Sequence, residues 1–113
     1  MLALKLGQSL SSSRNPYWLP TDESSLVAWY RKGSEITLNG SDVSSWGDSS
    51  SNGLDMVQAT ASEQPAFSNG ILTFDSANTQ NLQTAGQISL TGEFAIGIRF
   101  NPSAFTGVIL GDN

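Results

Sequence analysis

Hydrophobic residues along this chain alternate with polar ones at the period of a β-strand, in short runs broken by glycine and asparagine. The first run is Leu2, Leu4 and Leu6, interleaved with Ala3 and Lys5. Gly7, Ser11, Ser12, Ser13, Asn15, Pro16 and Pro20 follow, residue types that favour extended or turning backbone. Residues 1–20 therefore read as an extended arm with a Ser/Pro linker. A single strand of this kind cannot fold alone. It pairs with a partner's sheet edge or folds over its own domain. Tyr17 and Trp18, outside the core pattern, suit burial in a partner interface, so Leu2, Leu4, Leu6, Tyr17 and Trp18 are the candidate partner-binding residues.

From residue 21 onward the pattern predicts β structure. Thr21, Asp22 and Glu23 can open one helical turn by capping its free amides. β-prone runs then recur at Leu26-Val27-Ala28-Trp29-Tyr30, Ile36-Thr37-Leu38, Val43-Ser44-Ser45-Trp46, Leu54 to Val57, and Ile71-Leu72-Thr73-Phe74. Three more follow at Ile88-Ser89-Leu90, at residues 94–100 and at Gly107-Val108-Ile109-Leu110. Asn39-Gly40 and Asn69-Gly70 mark tight turns, because both residue types tolerate positive φ. No stretch keeps a 3.6-residue period over three turns. The expectation is an all-β, antiparallel jelly-roll sandwich over residues 21–113, with Trp29, Phe74, Phe94, Ile96 and Phe100 among its core positions. A jelly roll needs about eight strands, and an apolar strand lies just before Asn113. The domain is therefore expected to be incomplete at its C-terminus, with further strands beyond Asn113 or from a neighbouring subunit.

Composition narrows the chemistry. The 113 residues include no cysteine and no histidine, which excludes disulfides, thiolate catalysis and any Ser-His-Asp or Cys-His machinery within this chain. A net charge of −5, with no basic residue between Lys32 and Arg99, argues against a nucleic-acid partner. No apolar run is long enough for membrane insertion.

The order Leu26-Val27-Ala28-Trp29-Tyr30, Gly40-Ser41, Val43, Trp46, then Asp48, Ser50, Asn52 and Gly53, resembles the opening of laminin-G-like domains of the concanavalin A-like lectin/glucanase superfamily. The likeness continues through Gln64-Pro65, Ile71, Leu72, Phe74-Asp75, Asn78 and Leu82 and covers roughly residues 24–110, the N-terminal part of such a domain. Such domains occur in bacterial surface and phage particle proteins, and the arm is similar to leaders of marine phage structural proteins. The resemblance implies a displayed, lectin-like jelly roll.

Several residues have both a ligand-binding and a structural reading. Trp29, Tyr30 and Trp46 can stack on sugar rings or support the core and its turns. Asp48, Asn52, Asp75 and Asn78 are candidate hydrogen-bonding groups for a glycan, or they hold their loops in shape. The segment 48–55 spaces oxygen donors around a glycine as the start of a calcium loop does, but its twelfth position is Ala59 instead of the EF-hand glutamate. No cofactor or metal is therefore expected, calcium being the one weighed. The glucanase branch carries a Glu-x-Asp-x-x-Glu strand. Here Glu35, Asp42, Asp48, Asp55, Glu63, Asp75 and Glu93 stand singly, so no catalytic pair is expected.

The combined expectation is a non-enzymatic virion structural protein, either a decoration, a fibre or a tail/capsid accessory. It docks on other virion proteins through residues 1–20, in a symmetric oligomer or assembly at the particle surface, and contacts host-surface glycan. The alternative is an extracellular carbohydrate-binding module, free or attached to an enzyme.

Overall fold

The computed structural model describes residues 17–103 and 109–111. Its regular structure is a single six-stranded antiparallel sheet: β1 (Ile36–Asn39), β2 (Asp42–Trp46), β3 (Met56–Val57), β4 (Ala66–Ser68), β5 (Ile71–Thr73) and β6 (Gln83–Thr84). No α-helix occurs among the described residues. Three 3₁₀ turns, at Pro20–Asp22, Ala61–Glu63 and Ser76–Asn78, punctuate the loops. The first falls where Thr21, Asp22 and Glu23 predict a helical turn, and Oδ2 of Asp22 accepts the Leu19 amide at 2.8 Å.

β2 is the central strand. β1 pairs along one of its edges, while β3 and β4 share the other, opposite its C-terminal and N-terminal halves. Between them the amide of Gln58 bonds Ser44 O, the amide of Val43 bonds Pro65 O and the amide of Phe67 bonds Ser41 O. β3 and β4 are thus one long strand interrupted by an excursion at residues 59–64. β5 and β6 line its far side in the same way, β5 against β4 and β6 against β3. The sheet has four rows, two of them broken at the same level.

The turns follow from backbone freedom. β1 and β2 are linked by Gly40 and Ser41, with Gly40 at φ +66° at the first linking position, where a mirror-image hairpin turn needs positive φ. β4 and β5 are linked by Asn69 and Gly70, both with positive φ (+52° and +74°). A bulge in the β1–β2 ladder leaves Ser44 without a counterpart, and its hydroxyl donates to Thr37 O at 3.1 Å.

Cross-strand partners share a face. Ile36, Trp46 and Met56 lie in one row, Leu38 opposes Val43, and Phe67 opposes Leu72, which makes one face apolar. Thr37, Ser45, Val57 and Gln83 form a row on the other face, with Asn39, Asp42, Ala66 and Thr73. That placement explains why Val57 and Ile71 are exposed although they sit in strands. Val43 and Pro65 are fully buried, Ile36, Trp46, Met56, Phe67 and Leu72 are half-buried, and Leu38 keeps 47% of its surface in solvent.

Three expectations need correction. Residues 26–30 join no ladder: the Trp29 amide bonds the Asp48 side chain, the Asn52 side chain bonds Leu26 O and Val27 O, and the Ser49 amide bonds Trp29 O. Residues 88–90 and 94–100 belong to none of the six strands, and Phe94, Ile96, Ile98 and Phe100 are exposed by 61%, 57%, 45% and 52%. Alternation assigns such a segment a face but does not supply the neighbour that makes it a ladder strand. The core therefore differs from the expected one: Trp29 is half-buried and Phe74 half-exposed, while Val43, which the pattern does not single out, is the buried centre. Gly107 and Val108 lie outside the described residues; Ile109 and Leu110 are exposed.

Candidate functional site

The loop from Asp48 to Asp55 connects β2 to β3 and holds the segment 26–31 against the sheet. Asp48, itself buried, is its centre. Its Oδ1 accepts the amides of Trp29 and Ser50, each at 2.8 Å. Its Oδ2 accepts the Ser50 hydroxyl at 2.6 Å and the Leu54 amide at 3.1 Å. Its own amide donates to Asp55 Oδ1 at 2.9 Å. Burial pushes the Asp48 carboxyl up, but the Ser50 hydroxyl and the amides of Trp29, Ser50 and Leu54 outweigh it and hold the group below the usual aspartate range.

Asn52 completes the attachment. Its Nδ2 donates to Leu26 O and to Val27 O, both at 2.8 Å, and the Ser49 amide donates to Trp29 O at 2.7 Å. Asp48 thus forms the local Asx turn its sequence suggests, whereas the Asn52 side chain reaches carbonyls some 25 residues away. Beside this loop an open depression of about 290 Å³ is lined by Thr21, Glu23, Ser24, Ser51 and Asn52, a rim of hydroxyl, carboxylate and amide groups with Leu26 at its side.

Two aromatic rings pack together beside this loop. The Tyr30 and Trp46 rings lie 5.6 Å apart at 56°, the Tyr30 hydroxyl donates to Leu54 O, and Trp46 Nε1 donates to Arg31 O at 3.0 Å. Burial, with the charges of Asp48 and Asp55, pushes the Tyr30 hydroxyl up to about 12. The Arg31 guanidinium sits 5.2 Å from the centre of the Trp29 ring, covering a face that a sugar would otherwise meet. Glu35, with φ +56°, closes the cluster: its carbonyl accepts the Gly47 amide at 2.7 Å and its Oε1 accepts the Ser49 hydroxyl at 3.2 Å.

Asp75 and Asn78 occupy a separate loop after β5. Asp75 Oδ1 accepts the Ala77 amide at 3.0 Å and so caps the 3₁₀ turn Ser76–Asn78, while its Oδ2 accepts Asn78 Nδ2 at 2.9 Å. The four candidate ligand residues therefore form two pairs, one at the β2–β3 connection and one in the outer row of the sheet. Tyr17 and Trp18 are 74% and 70% exposed. Leu2, Leu4 and Leu6 lie outside the described residues.

A polar network at the level of the two strand interruptions has no counterpart in the sequence reading. Buried Gln64 accepts from Asn39 Nδ2 at 3.0 Å and donates to Gln58 O at 2.7 Å. Gln58 Nε2 donates to Asn81 Oδ1 at 3.0 Å, and the Asn81 amide donates to Glu63 O at 3.1 Å. These are uncharged side chains at irregular spacing, so only their meeting in space identifies them. Among the described residues no cluster of three or more metal-ligating side chains occurs, and no helix is long and apolar enough to cross a membrane. No protein-family model, curated protein or solved structure matches the chain.

Proposed function

We propose that this chain is a non-enzymatic virion structural protein, a decoration, fibre or tail/capsid accessory component, anchored by its N-terminal arm and displaying a lectin-like jelly roll. The observation that carries the reading is the incompletely covered apolar surface. One sheet face keeps Leu38 and the half-buried Phe67 and Leu72 within reach of solvent, and the stripe Phe94, Ile96, Ile98 and Phe100 is open as well. Burying a side chain of this size contributes about 1.5–3 kcal/mol relative to leaving it exposed. An apolar patch of that kind marks a surface that is covered on assembly. In this reading the second layer of the sandwich is built over the apolar face from residues 88–103 and from strands supplied within the assembly.

The chemistry of the loops supports display over catalysis. The Asp48 carboxylate holds four hydrogen-bond donors of its own chain and Asp75 holds two, so both are committed to shaping their loops. Glycan contact is assigned to the hydroxyl-rimmed depression beside Asn52, where Thr21, Ser24 and Ser51 offer rotatable donors and acceptors. Incubation of the chain with bacterial and algal polysaccharides should bind glycan without releasing reducing ends. Turnover above background that is lost on neutralising Asp48 or Asp75 would overturn the non-enzymatic reading.

A further inference from the structure

The segment Phe94-Ala95-Ile96-Gly97-Ile98-Arg99-Phe100 reads alike from either end at its phenylalanines, isoleucines and central glycine. We propose that residues 93–101 pair antiparallel with the same segment of a second copy of this chain, about a two-fold axis at Gly97. That register sets Phe94 opposite Phe100 and Ile96 opposite Ile98 on one face, twice over by symmetry. On the other face Ala95 opposes Arg99 and Glu93 opposes Asn101, which leaves Arg99 diagonal to Glu93 of the second copy. Diagonal neighbours in an antiparallel pair lie about 7–8 Å apart, within reach of these long side chains.

Charge selects this arrangement over its alternative. Parallel, in-register pairing would stack Arg99 on Arg99 and Glu93 on Glu93, which is destabilising. Antiparallel pairing exchanges them for two Glu–Arg contacts. The geometry of the segment permits it: residues 94–100 belong to none of the six strands, their apolar side chains are 45–61% exposed, and Gly97 has neither positive φ nor any atom within 4 Å of where a Cβ would sit. The contact is isologous, so it closes at two copies. It extends a sheet across the axis while leaving one apolar face to pack. The inference goes beyond the virion reading and does not depend on it, since the free chain itself should dimerise.

Because the chain contains no cysteine, single cysteine substitutions report on this contact alone. Directly opposed residues of an antiparallel pair have Cα atoms about 4.5–5.5 Å apart, inside the range a disulfide spans. Under mild oxidation Gly97→Cys should cross-link to itself about tenfold or more faster than Ser103→Cys, as expected for a thiol pair held at high effective concentration. A mixture of Ala95→Cys and Arg99→Cys should give the mixed dimer in preference to either homodimer. By light scattering the unsubstituted chain should be a dimer, Glu93→Lys should shift it toward monomer, and Glu93→Lys with Arg99→Glu should restore it. A monomer at every concentration, or a dimer in which Gly97→Cys cross-links no faster than Ser103→Cys, overturns the proposal. So does a monomer whose amides at 94–100 are protected from exchange, which would assign the cover to the chain's own arm.

Discussion

The backbone amide of Trp29 donates a 2.8 Å hydrogen bond to Oδ1 of Asp48, nineteen residues further along the chain. Through that bond a segment with strand composition is held by a side chain instead of by a ladder. Ser50 and Leu54 bring three more donors to the same carboxylate, so one aspartate organises both the β2–β3 connection and the approach to β1.

Replacing Asp48 by Asn removes the charge and turns one acceptor oxygen into a donor. At least one of the Trp29, Ser50 or Leu54 donors then loses its partner. The expected cost is about 2 kcal/mol, read as a lowered denaturation midpoint. The pH dependence follows from the lowered Asp48 pKa. The ionised group is favoured in the folded chain, so its contribution is complete above the unfolded aspartate value near 3.9 and is lost as pH falls through the lower folded value. Thermal midpoints should hold steady from neutrality down to about pH 5 and fall below about pH 4. The Asp48→Asn variant should fall less steeply in that range; an equal acid slope in both proteins would contradict the assignment.

Gly47 is required by close approach. A Cβ there would lie 2.8 Å from Glu35 Cβ and 3.3 Å from Glu35 O. Gly47→Ala should destabilise by about 1–3 kcal/mol through overpacking. Since Glu35 itself has positive φ, Glu35→Gly removes the opposing side chain and relieves the backbone. In that background Gly47→Ala should cost markedly less, and a double-mutant cycle on denaturant midpoints measures the difference.

Gln64 ties the excursion between β3 and β4 to Gln58 beside β3 and to Asn39 at the end of β1. Gln64→Leu keeps the volume but leaves Gln58 O and Asn39 Nδ2 without that partner, for an expected loss of about 1–3 kcal/mol. Hydrogen exchange should accelerate at the Asn81 amide, which bonds Glu63 O one residue away from the substitution. Unchanged exchange there would show that the two excursions are held independently.

The parts of this fold legible in the sequence are those fixed by local backbone preference. Asn69-Gly70 forms the β4–β5 link because both residues take positive φ cheaply; at the β1–β2 turn Gly40 alone does so, and the link is Gly40-Ser41, one residue later than expected, with Asn39 ending β1. The Asx turn at Asp48 is legible for the same reason. Residues 26–30 are misread because composition favours extension without saying whether a ladder or Asp48 and Asn52 will satisfy the backbone. At the break between β3 and β4, Gln64 meets Asn39, a contact between residues 25 apart that no local pattern encodes. Alternation at residues 94–100 states which side chains share a face but not what lies against them. For the candidate site, Asp48 and Asn52 are brought to one loop, while Asp75 and Asn78 are placed in another by the turn after β5.

The central claim, that this chain is displayed on a particle through its arm, is tested most directly by quantifying incorporation. Full-length protein and a Leu2→Asp, Leu4→Asp, Leu6→Asp variant would each be produced together with the other particle components. The chain would then be counted by mass spectrometry of the purified particles. The hydrogen bonds that define the sheet lie within residues 35–84, so the variant should retain the β-rich circular dichroism of the parent. The account predicts a fixed number of full-length chains per particle and loss of the variant to background; equal incorporation of the two, or absence of both from the particle, would contradict it.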